Sequence, residues 1–169
     1  MFNSKKAVVR DLPPREKVHE MAHQTPTQPQ SVLMLEDNVA FAALVRNFLE
    51  ANSFRVTRVS SGVEGLRQIM ERDFDILLCD MVMPELPGDM FYLAVERSKP
   101  HLCRRFVFMT GHQADPKYDA FIRKVKGPML WKPFLLSDLL SMLRRTLEKN
   151  SPVPVRESQF AGREDKWWM

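Results

Sequence analysis

The chain has 169 residues, 44% hydrophobic and 27% charged, which suits one soluble domain of ordinary size with tails. No apolar run approaches the roughly 18 residues that cross a bilayer, and MFNSKKAVVRDLPPREK has no hydrophobic block of signal-peptide length, so a cytoplasmic protein with no membrane partner is expected. The pI is near 9.2, yet residues 31–150 carry 17 Lys/Arg against 15 Asp/Glu and residues 1–30 five against three, with no basic stripe interleaved with aromatics, so nucleic acid is not an expected partner.

Residues 1–30 read as a flexible arm, helix-compatible only over 15–23 and ending in the linker-like QTPTQPQ. Residues 31–35 form a short apolar strand. Asn38 suits the N-cap of a helix carrying Phe41, Leu44, Val45, Phe48 and Leu49 at helical spacing. FRVTRV at 54–59 alternates as a strand, and 61–72 is helical, with Val63, Leu66, Ile69 and Met70 to one side. A second buried-looking strand covers 75–80, followed by a helix at 89–98, a strand RFVFM at 105–109 and a helix at 115–125 with Pro116 in its first turn. A short strand at 129–131 and a helix at 137–149, with Leu139, Leu140, Leu143 and Leu147 in period, complete the series. Asp138 near the start of this helix and Arg144, Arg145 and Lys149 near its end suit the helix dipole.

Five strands alternating with five helices predict an α/β domain over 31–150, a parallel sheet covered on both faces. The strands at 31–35 and 75–79 are expected near its centre. Cys79 and Cys103 lie in apolar strand-like runs and are expected to be reduced. The tail, 151–169, ends Trp167-Trp168-Met169; it suits a mobile extension or an aromatic end that docks on this or another protein.

Within DILLCDMVMPELPG at 75–88, an apolar strand runs into Asp80 and then a turn. A carboxylate there is costly to desolvate unless something pairs with it. In open parallel sheets ligands bind outside the carboxyl ends of the strands, and each conspicuous polar residue sits at such an end: Glu36-Asp37 after the first strand, Asp80 after the third, Thr110 after the fourth and Lys132 after the fifth. Three crowded carboxylates call for a hard divalent cation, and Mg²⁺ suits a site that retains waters. A nucleophilic carboxylate, a metal pair, a lysine and a hydroxyl together fit phosphoryl transfer onto Asp80.

These motifs, VLMLEDN, DILLCDMVMPELPGDMF, FVFMTG and LWKPF in that order, resemble the receiver domain of bacterial two-component response regulators over about residues 31–150. The resemblance implies a flavodoxin-like doubly wound (βα)₅ sheet of order 2-1-3-4-5. It implies Asp80 as phosphoacceptor, Glu36 and Asp37 as Mg²⁺ carboxylates with Asp80, the Val82 backbone carbonyl as a further metal ligand, Thr110 as switch hydroxyl and Lys132 as phosphate-binding lysine. A cis peptide before Pro133 is also implied. The implied partners are a sensor histidine kinase or histidine phosphotransfer protein and a downstream protein target, with self-association through the face of the fourth helix, fifth strand and last helix. The family catalyses its own phosphorylation and dephosphorylation and is not a turnover enzyme on a small substrate. Met129 stands where the family usually has a switch Tyr or Phe, and Trp131, one strand step from Lys132, should point to the opposite face.

Other readings stand beside these. Asp80 alone would suit a turn-capping carboxylate, Glu36-Asp37 a helix cap, Thr110 a turn and Lys132 a solvated charge; only the constellation lifts them. A receiver-fold interaction module without phosphorylation is the alternative function. An aspartyl-phosphate hydrolase would need an acid two residues after the nucleophile, where Val82 stands. Met81, Met83 and Met90 suit packing. HEMAH at 19–23 matches a zinc-protease pattern, but it lies in a polar, proline-flanked arm with little apolar periodicity.

Overall fold

The computed structural model describes residues 28–111 and 116–150. They form β1 (Gln30–Leu35), α1 (Val39–Ala51), β2 (Phe54–Val59), α2 (Gly62–Glu71), β3 (Ile76–Asp80), α3 (Gly88–Ser98), a 3₁₀ segment (Pro100–Arg105), β4 (Phe106–Thr110), α4 (Pro116–Val125), β5 (Met129–Trp131) and α5 (Leu136–Asn150). The five strands are parallel, as the alternation predicts, in the order β2-β1-β3-β4-β5 that the family resemblance implies. The motif at 19–23 and the Trp167-Trp168 end lie outside the described residues.

β1 and β3 sit together at the middle of the sheet and are apolar without alternation because both faces are covered. The period of two then divides each strand between two cores. Leu33, Leu35, Leu77, Cys79, Phe106 and Phe108 face α2, α3 and α4; Val32, Met34, Ile76, Leu78, Val107 and Met109 face α1 and α5. Each fully buried large side chain contributes roughly 1.5–3 kcal/mol of transfer free energy. The first core is the aromatic one. Tyr92 meets Phe106 edge-on at 5.0 Å and Phe121 at 5.5 Å, and these contacts hold α3 and α4 to the sheet.

Local chemistry sets the helix ends. Asn38 Oδ1 accepts the Phe41 amide at 3.0 Å, as expected of an N-cap. Ser61 Oγ accepts the Glu64 amide, while Glu64 Oε2 accepts the Ser60 amide, giving α2 a reciprocal cap. Asp89 lies in the first turn of α3 and pairs with Lys117 of α4 at 3.0 Å.

Several expectations from periodicity are corrected. Leu44 on α1 and Met70 on α2 are exposed, because the sheet touches the neighbouring rows Ala42, Val45 and Leu49, and Gly62, Gly65 and Ile69. Met81 and Met83 pack in the core, but Met90 is exposed. Arg105 and Cys103 belong to the 3₁₀ segment, and β4 begins at Phe106.

A candidate phosphoacceptor site at the carboxyl rim

The strand order reverses where β1 lies between β2 and β3, and the residues at and after the carboxyl ends of β1, β3, β4 and β5 frame a cavity of about 650 Å³. Its walls include Glu36, Asp37, Phe41, Asp80, Val82 and Lys132. Glu36 (1% exposed) and Asp80 (6%) are buried, whereas Asp37 is exposed at the mouth. Lys132 Nζ lies 2.7 Å from Glu36 Oε2 and 2.5 Å from Asp80 Oδ2, donating to both. The Lys132–Pro133 peptide is cis.

Backbone contacts hold the acids in place. Val82 N–H donates to Asp80 Oδ1 at 2.9 Å and Asn38 N–H to Glu36 Oε1 at 3.2 Å. Met81 N–H donates to Met109 O and Lys132 N–H to Thr110 O, each at 2.8 Å, tying the strand exits together. Gly88 lets α3 start against the end of β3. A Cβ at Gly88 would stand 2.6 Å from Asp80 O and 2.9 Å from Met81 Cα, both backbone atoms that cannot swing aside.

Burial pushes the Glu36 carboxyl above its ordinary 4.5; Lys132 opposes this by hydrogen bond and charge, and Asp80 adds to it. At Lys132 burial works against the ammonium, but the hydrogen bonds and charges of Asp80 and Glu36 outweigh it, and its pKa rises. The lysine therefore stays charged. Burial, with Asp80 and then Asp89 and Glu36 adding to it, pushes the neighbouring Cys79 thiol well above its ordinary value, so Cys79 is a core residue.

One carboxylate oxygen each from Glu36, Asp37 and Asp80 can lie within 4.8 Å of one another. This all-oxygen, triply acidic donor set fits a hard divalent cation. The structure thus brings Glu36, Asp80 and Lys132 into direct contact, with Asp37 and Val82 at the mouth. Thr110 is fully buried at the end of β4, beside Trp131 in register, and is not among the cavity walls. Met129 packs into the aromatic core and Leu130 into the other, so Trp131 falls on the Met129 face by alternation.

Two contributors have no signal of their own in the sequence. Arg58 on β2 donates to Glu36 O and Asp37 O at 3.0 Å each and pins the acidic loop by its backbone. Phe41 places its ring 4.5 Å from Lys132 Nζ, where a cation is attracted to the aromatic face. Helical periodicity assigns Phe41 to packing, and FRVTRV assigns Arg58 to a strand.

Comparison with known proteins identifies the family. The family described as response regulator receiver domain matches residues 32–144, and the chain belongs to it. It is 32% identical over 126 residues to the sensor kinase CckA of Brucella abortus, a match that covers 70% of this chain and 13% of that protein. It is 31% identical over 119 residues to the response regulator receiver protein CpdR of the same organism, covering 69% of this chain and 95% of CpdR. Among solved structures, a CheY-like receiver domain protein from Methanospirillum hungatei superposes with a TM-score of 0.66 at 21% identity, covering 72% of this chain and 95% of that one. No helix among the described residues is long and apolar enough to cross a membrane.

Proposed function

We propose that the chain is a phosphorylation-switched receiver that accepts a phosphoryl group on Asp80 from the phosphohistidine of a sensor histidine kinase or a histidine phosphotransfer protein. The observation that carries this reading is the Lys132 ammonium bridging Glu36 and Asp80 within a three-carboxylate cavity. A carboxylate oxygen of Asp80 attacks phosphorus, the new O–P bond forms as the donor P–N bond breaks, and the bonding pair stays on the imidazole nitrogen. Lys132 neutralises charge that spreads over the phosphoryl oxygens, and Val82 N–H holds Asp80 at a fixed angle. Glu36, Asp37, Asp80 and the Val82 carbonyl are the residues to hold Mg²⁺, which supplies further charge neutralisation when bound. Water later cleaves the acyl phosphate, returning the Asp80 carboxylate and inorganic phosphate.

Phosphate on Asp80 attracts the Thr110 hydroxyl and Lys132. The resulting shift biases the face made by α4, β5 and α5 toward a downstream protein or a second copy. Met129, packed against the aromatic core, occupies the place on that face where an aromatic switch is usual, and its flexible side chain carries the change. Free thiols at Cys79 and Cys103 suit a reducing cytoplasm. In this reading residues 31–150 are the receiver, and residues 1–30 and 151–169 lie outside it. Incubation with acetyl phosphate and Mg²⁺ is expected to add one acid-stable, base-labile phosphoryl group per chain and none to Asp80→Asn. Full incorporation in that variant would overturn the assignment.

A further inference from the structure

The opposite end of the sheet carries a second cavity, of about 700 Å³, within the size range of pockets that enclose a ligand. It opens where β4 and β5 begin, at Phe106 and Pro128, and parallel strands put that edge farthest from Asp80. Its apolar lining includes Tyr92, Phe106, Val125, Pro128 and Met142. Its walls carry Arg104, Lys126, Arg145 and Lys149 against one acid, Asp138. The four bases are exposed, and none of them makes an ion pair among the described residues. An aromatic and thioether floor under a basic wall fits a ligand that is aromatic and acidic together.

The chain supplies such a ligand. Asn150, the last residue of α5, lines the cavity and donates to Arg104 O at 2.9 Å and Thr146 O at 2.7 Å. The covalent path beyond α5 therefore starts at the cavity's lip. Residues 164–168 read Glu-Asp-Lys-Trp-Trp, two carboxylates followed by two indoles. The 17 residues from Asn150 to Trp167 would, as a flexible chain, span about 20–25 Å root-mean-square, enough to let the far end return to its own origin. Tethering at that distance would give an effective concentration on the order of millimolar, which favours even a weak contact.

We propose that the cavity is the docking site for the chain's own residues 164–168. The Trp167 and Trp168 indoles occupy the floor at Tyr92, Phe106 and Met142, and the Glu164 and Asp165 carboxylates face the Arg104 and Arg145 guanidinium groups. This rests on the amino end of the sheet and is independent of the chemistry at Asp80.

The test uses full-length chain carrying Trp131→Phe, which leaves Trp167 and Trp168 as the only tryptophans. Docking predicts blue-shifted emission and weak acrylamide quenching at monomer mass. Charge reversal with Arg104→Glu and Arg145→Glu, both at exposed positions, is expected to red-shift the emission and raise the quenching constant several-fold with an unchanged circular dichroism spectrum. Adding Glu164→Lys and Asp165→Lys to that variant is expected to restore shielded emission. Solvent-exposed emission in the parent chain, shielded emission untouched by the reversal, or shielding found only in a dimer would each overturn the proposal. Phosphoryl incorporation at Asp80 should be the same in every variant, so failure here is separable from failure of the phosphoacceptor reading.

Discussion

At the carboxyl end of the sheet, Glu36 and Asp80 are buried around one shared ammonium that also lies over the Phe41 ring. At the amino end, Arg104, Lys126, Arg145 and Lys149 stand exposed around a cavity with a single acid. Buried charge must be paired atom by atom, because desolvation is costly and the local dielectric strengthens each contact. Exposed charge is screened beyond about 8–10 Å and tolerates rearrangement. The first rim therefore holds its groups in fixed positions, and the second leaves its charges free to rearrange.

Substitutions should separate the two ends. The largest effect is expected at Lys132→Met, which removes the ammonium shared by Glu36 and Asp80: the rate of phosphoryl incorporation from acetyl phosphate should fall about 10²–10³-fold, measured by intact mass over time. Next is Gly88→Val. Its Cβ meets Asp80 O and Met81 Cα at closer than contact distance, so urea unfolding should show a loss of about 1–3 kcal/mol. Phe41→Leu keeps an apolar side chain but removes the ring beneath Lys132 and its edge contact with Phe134, and should cost about 0.5–1.5 kcal/mol in the same assay.

The smallest effect belongs to the amino end. Asp73, in the loop before β3, is bonded to Lys99 and His101, and these two hydrogen bonds hold its carboxyl below the ordinary 3.8. A depressed carboxyl pKa stabilises the fold above its unfolded value, and that stabilisation is lost as pH falls through the folded value. Asp73→Asn should therefore lower the urea midpoint slightly at pH 6 and leave it unchanged near pH 2. A midpoint difference that grows on acidification would contradict the pairing. The pair is exposed at 43% on the Asp73 side, so screening keeps the effect small.

Much was legible in the sequence because local rules are strong. Unbroken apolar runs at Val32–Leu35 and Ile76–Cys79 marked the doubly covered strands, Asn38 marked the start of α1, and polar residues placed after strands marked the rim. Periodicity stopped short where two apolar rows adjoin on one helix: whether Leu44 or Ala42 meets the sheet depends on helix tilt, which no short window contains. The composition of residues 103–105 suits a strand as well as the 3₁₀ segment they belong to, because composition over so few residues does not fix backbone shape.

By itself the sequence determined the alternation of strand and helix, hence a parallel sheet, and the residue types that end its strands. Only the tertiary structure decided that Lys132 bridges two acids 96 and 52 positions away, that Arg58 and Phe41 serve them, and that four separate bases ring one apolar floor. The physical reason is range. Propensity and period act over a few residues, whereas contacts across the chain are set by strand register, sheet twist and packing, which exist only once the fold has closed.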